Sequence, residues 1–345
     1  MLKDRGKQII KQIVSPLADK VGVYDEKVQR LMGEPNRLLV LMYHRVIDDL
    51  ASDPFQLGMC VRRKYFEEQL AWLAAHTHVL PLTQAVEHLL NNEPLPPNAV
   101  AITFDDGLLD NLVNAAPLLE KYRLPATFYV ITGGLETGHT MWWDRAIAIL
   151  ACTQAHSVDP RAIGLPELPH PLPLGRNVRA DSCRTILGTL WERNLGAIVQ
   201  CLEQMEDVLD PGPIPLALQA PRMNAQQVQE LARRGFQIGA HTTLHIDPKL
   251  LNREQLLDDL GASRLQLQEL TQQPVDSFAY PGGRSSVWMP DLLATLGFHH
   301  AVDTRRGINQ APASRYAIAR VGVPDTPVGD FKRAIRNLKI IDATP

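Results

Sequence analysis

The apolar run from Ala99 to Phe104 ends in two adjacent acids, Asp105 and Asp106, followed at once by Gly107. Like charges side by side repel, and burying either acid without a cation or hydrogen-bond donors costs several kcal/mol. A bound metal ion resolves both difficulties. Neighbouring residues of a regular strand point to opposite faces, so the two acids share a site only where the strand breaks, and glycine at 107 permits such a break. Further along, His241 and His245 stand four residues apart in "GAHTTLHID". If a helical turn begins there, both imidazoles project from one face and grip one ion. Joined to Asp106 they make a two-histidine, one-carboxylate set with positions open for water and substrate. One acid of the pair then binds the metal while the other takes a proton from an acidified water.

These residues need a scaffold that brings them together. Short β-branched or apolar runs at 37–44, 99–107, 125–131, 236–242, 277–281, 299–304 and 316–323 read as buried strands, and helical patterns such as "YFEEQLAWLAAH" and "NAQQVQELARRG" lie between them. The alternation predicts an α/β fold with a parallel sheet. His44, the Asp105–Asp106 pair, His241 and Tyr280 all fall at the C-terminal ends of different strands. In a barrel those ends meet on one face, where active sites are built, so a barrel is expected rather than an open sheet. Residues 134 to about 222 interrupt the rhythm with "MWWDRAIAILA", a proline-rich stretch and a long helical pattern. They read as an insertion of helices and loops whose apolar positions are too few to close a core alone. Asp144 reads as a helix N-cap or first-turn acid.

Composition sets wider bounds. The chain has 345 residues, a formal net charge of -3 and a sequence that is 45% hydrophobic, as expected of a globular protein with a sizeable core. So small a charge offers no electrostatic case for nucleic acid. Four scattered cysteines without CxxC spacing suggest neither a zinc knuckle nor a disulfide framework. Residues 1–36 are expected to form an N-terminal helical arm ahead of a barrel domain at 37–345. Its Ile9, Ile10, Ile13 and Leu17, interleaved with lysines, suit packing on the main domain or peripheral contact with an anionic membrane. With no apolar run of signal-peptide or transmembrane length, the expected location is cytoplasmic.

"TFDDG" at 103–107 and "HTTLH" at 241–245 together resemble the first two motifs of the NodB-like polysaccharide deacetylases, carbohydrate esterase family 4. The resemblance covers roughly 37–133 and 223–325 and implies a distorted (β/α)7 barrel with a helical insertion. It implies that Asp105 is the catalytic base and that Asp106, His241 and His245 bind the metal. The family's third motif, R-x-P-[YF], is half present in "AYPG", with Ala279 in place of arginine and Gly282 in place of the aromatic. The Gly282 N–H remains able to help hold an oxyanion, with Tyr280 beside it. Arg320 or Arg284 would have to stand in for the missing arginine.

No C-terminal L-x-H motif follows, and "LMYHRV" at the first strand instead resembles the circularly shifted exopolysaccharide deacetylases, which puts His44 at the missing corner. An amine leaving group needs a proton, and His44 is the strand-end histidine left to supply it. Trp142 and Trp143 suit either stacking on sugar rings or the core of the insertion.

The expected activity is removal of N-acetyl groups from amino sugars, N-acetylglucosamine or a relative, in a polysaccharide or lipid-linked glycan. The alternatives are hydrolysis of a non-carbohydrate amide and a glycan-binding member with weak turnover. Imidazole and carboxylate ligands favour zinc, then cobalt, nickel or manganese, over calcium.

Overall fold

The computed structural model describes residues 23–136 and 140–341. The amphipathic pattern at Ile9, Ile10, Ile13 and Leu17 therefore lies outside the described residues. Within them, seven strands build the frame: β1 (Arg37–Tyr43), β2 (Ala99–Phe104), β3 (Thr127–Val130), β4 (Gln237–Ala240), β5 (Ser277–Ala279), β6 (His300–Val302) and β7 (Val321–Gly322). They pair in parallel in the order β1-β2-β3-β4-β5-β6. Val302 of β6 then bridges in parallel to Ile318, and Val321 of β7 pairs with Leu41 of β1. The ring thus closes through one broken strand, which is the distortion of the (β/α)7 barrel. The run read as one strand over 316–323 splits into a bridge at Ile318 and the short β7, because Asn309 takes the Ala319 N–H on its side-chain oxygen between them.

Every residue of β2 is buried, as expected where helices cover the outside of a parallel sheet. Helix α1 (Val23–Met32) sends Val28 and Met32 into the main apolar core, alongside Trp72 of α2 (Arg63–His76). Among the strands not foreseen, Ile308–Gln310 pairs antiparallel with β1 on the edge away from β2. Among the described residues no helix is long and apolar enough to cross a membrane.

The insertion holds more apolar structure than its sequence suggested. Helices α3 (Trp142–Cys152), α4 (Arg179–Trp191) and α5 (Leu195–Leu209) bury Ile149, Ile186, Leu190, Ile198, Leu202 and Met205 in a cluster of their own. Residues far apart in sequence, such as Leu165 and Leu174 from the proline-rich stretch, join the cluster, which also takes in Ile131 from the barrel. Arg145 clamps α3 to α5 through a bidentate pair with Glu206, both contacts at 2.6 Å.

Candidate metal-hydrolase site

Register places the site residues side by side. Tyr43 pairs with Phe104, so His44 follows β1 level with Asp105 after β2. Val130 pairs with Ala240, and Ala240 with Phe278, so His241 follows β4 level with Ala279. The His241 Nδ1 lies 2.8 Å from the Ala279 carbonyl oxygen. That carbonyl can only accept, so Nδ1 carries a hydrogen and Nε2 is the nitrogen left for a metal.

The break after Phe104 is sharper than one glycine. Asp106 itself takes a left-handed conformation with φ 72°, followed by Gly107 at φ 68°. A Cβ on Gly107 would stand 3.2 Å from Val130 Cγ1, so the position has neither the backbone freedom nor the room for a side chain. The histidine pair also differs from its expected geometry: Thr242 at φ 65° and His245 at φ 50° make the segment an irregular loop, not a helical turn. Left-handed φ at a β-branched threonine is costly and characteristic of sites where surroundings hold a constrained backbone. Here the Thr242 hydroxyl oxygen accepts the His245 N–H at 2.9 Å.

Asp106, His241 and His245 converge, with one ligand atom from each lying within 4.8 Å of the others. Both Nε2 atoms face Asp106 Oδ1, at 3.4 and 3.6 Å. That oxygen is buried and has no hydrogen-bond partner among the described residues. A buried carboxylate oxygen facing two imidazole nitrogens is a donor set that fits a divalent metal, and without the ion the Asp106 and Asp105 carboxylates outweigh burial and push the His241 imidazole up. Burial and the neighbouring His241 push the His245 imidazole down to about 3, which keeps it in the neutral, ligating form. Burial would raise the Asp106 carboxyl, yet His241 and His245 hold it far below its ordinary range.

Asp105 is occupied differently. Arg320, wholly buried, forks onto it with Nη1–Oδ1 and Nη2–Oδ2 contacts of 2.7 Å. Burial pushes the Asp105 carboxyl up, but Arg320, with His241 and His44, outweighs it and the net direction is down, so the group is a carboxylate. Of the two arginines considered from sequence, Arg320 is thus the one that meets this acid. Arg284 pairs instead with Glu192 of the insertion and with Asp247.

A cleft of about 460 Å³ opens over these groups, lined by His44, Asp105, Asp106, Trp143, Gly282 and Arg284 among others. Gly282 sits there at φ 58°. Tyr280 is corrected: it is buried, its hydroxyl donates to the Tyr316 carbonyl, and it does not line the cleft. Trp142 is mainly insertion core, 7% exposed, while Trp143 stands with its ring centroid 4.6 Å from that of His245. Asp144 is indeed in the first turn of α3, but it is buried, its Oδ2 lacks a partner, and burial raises its carboxyl to about 7. Sequence reasoning missed Trp191, a single tryptophan in a helical pattern with no motif around it. It lines the cleft and touches His245 edge-to-face at 5.0 Å.

The family model for polysaccharide deacetylase matches residues 92–158 and 180–301, more than half of the chain. His44 and Arg320 both fall outside those spans. A poly-beta-1,6-N-acetyl-D-glucosamine N-deacetylase of Staphylococcus aureus is 31% identical over 130 residues, which is 34% of this chain and 44% of that protein. The matched region therefore spans less than half the length of that curated relative. Among solved structures, the deacetylase PplD of Streptococcus pyogenes superposes with a TM-score of 0.56 at 20% identity, over 84% of this chain and 94% of that one. IcaB from Ammonifex degensii gives 0.55 at 21%, over 86% and 97%. At these identities the likeness establishes the fold.

Proposed function

The chain belongs to the polysaccharide deacetylase family, and from that premise we propose that it is a metal-dependent hydrolase removing N-acetyl groups from the amino sugars of an exopolysaccharide. A β-1,6-linked N-acetylglucosamine polymer is the first substrate to try, given the staphylococcal relative. The convergence of Asp106, His241 and His245 beside an Arg320-bound Asp105 carries this reading.

A divalent ion held by Asp106, His241 and His245 would supply Lewis acidity to the amide carbonyl and lower the pKa of a water. Zinc suits the donor set best, with cobalt, nickel or manganese as alternatives. Asp105 takes the water's proton; Arg320 keeps it ionised and fixes the orientation of its carboxylate. The Gly282 N–H, at the cleft wall, donates to the oxygen that gains charge as the carbonyl is attacked. His44, which follows β1 and lines the cleft, gives a proton to the leaving amine as the C–N bond breaks.

Acetate release from a panel of N-acetylated β-1,6 and β-1,4 oligosaccharides, with Asp105→Asn as the control, tests the reading. Release that depends on substrate linkage and disappears in the control is expected. Absence of acetate from every carbohydrate, with release from simple amides, would move the activity to the non-carbohydrate class. His44→Ala is expected to bind metal as wild type does and to deacetylate 10²- to 10⁴-fold more slowly, the usual range for losing a general acid.

A further inference from the structure

Metal-binding histidines usually give their second ring N–H to a carbonyl, carboxylate or water, which fixes ring orientation. His241 follows that rule through Ala279. His245 does not: its Nδ1 is buried and has no partner among the described residues. Its ring is instead enclosed by others. Trp143 packs at 4.6 Å with an interplanar angle of 56°, Trp191 edge-to-face at 5.0 Å and 71°, and His241 at 4.7 Å and 71°. Trp143 and Trp191 both come from the insertion, on α3 and α4, and Trp142 braces them at 5.4 and 5.9 Å.

The barrel side of this enclosure is cut to fit. A Cβ on Gly282 would lie 3.1 Å from Trp191 Cζ2, a tighter approach than most Cβ contacts, so a side chain at 282 would crowd Trp191. Arg284 lies over the Trp191 ring at 5.9 Å and also pairs with Glu192, the next residue, at 2.8 Å.

We infer that Trp143 and Trp191 are positioning residues for the metal ligand His245, an aromatic clamp that holds its ring and makes metal affinity depend on the insertion. Rings packed on both sides of the imidazole restrict its rotation, and edge-to-face contacts favour one tilt over the others. The inference rests on the metal-site reading above.

Zinc affinity of the full chain, measured by competition with a chromophoric chelator and without reference to turnover, tests it. Trp191→Leu and Trp143→Leu should each weaken zinc binding 10- to 100-fold, the range seen when an outer-shell partner is lost. Trp191→Phe and Trp143→Phe should restore most of it, because a ring is what the clamp needs. If the leucine variants fold poorly, Trp191→Met keeps apolar bulk without a ring and should still bind zinc weakly. Wild-type affinity in the leucine or methionine variants overturns the clamp and leaves the metal site intact. A wild-type chain that binds no zinc would instead overturn the metal-site reading itself.

Discussion

Asp105 and Asp106 are sequence neighbours with opposite surroundings, one forked by a buried arginine and the other facing two imidazoles. That difference separates their roles. Asp105→Asn is nearly isosteric, so the variant should keep one metal per chain while acetate release falls 10²- to 10⁴-fold; elemental analysis and a rate assay on the same sample check both halves. Asp144 supplies a second residue-scale prediction. Burial raises its carboxyl to about 7 in the folded chain, above the value near 3.9 of an unfolded one. Below the unfolded value both states are protonated and nothing is lost. As pH rises toward 7 the unfolded chain ionises first, so stability falls, by at most about 4 kcal/mol for a shift of about three units. Asp144→Asn in the metal-free protein should therefore gain stability relative to wild type between pH 5 and pH 8 in urea unfolding. Parallel curves for the two proteins would show that Asp144 is ionised throughout.

At the scale of elements, the ring closure matters most. The stretch joining β6 to β1 pairs at Ile318 and again at Val321, and between them Arg320 turns inward to Asp105 on β2's end. One ion pair therefore ties the weakest seam of the barrel to its active face. Arg320→Met strands a buried acid, and a loss of about 3–5 kcal/mol in unfolding free energy is expected. A loss under about 1 kcal/mol would mean that water or another cation reaches Asp105. Much of this frame was legible beforehand. Apolar runs ending in polar residues located the strands, and the paired motifs located Asp105, Asp106, His241 and His245. Arg320 was legible only as one of two arginines, because which of them reaches Asp105 is decided by the break near Ala319, set by Asn309 far along neither motif. The left-handed turns at Asp106, Thr242 and His245 left no mark in sequence, since none of the three is glycine.

At the scale of the whole molecule, two apolar cores meet over one cleft. The barrel contributes His44, Asp105, Asp106, His241 and His245, and the insertion contributes Arg184 with the aromatic and aliphatic walls Trp143, Ile147, Leu187 and Trp191. Sequence patterning understated the insertion because its buried positions are scattered over helices and a proline-rich loop and become a cluster only after folding. The chain as a whole is accordingly read as a hydrolase whose chemistry sits on the barrel and whose metal ligand is steadied from the insertion. Titrating the chelated protein with zinc while following acetate release from N-acetylglucosamine oligomers tests that reading most directly. Activity should rise from nothing to a plateau at one equivalent of zinc per chain. Undiminished acetate release from the fully chelated, metal-free protein would contradict it.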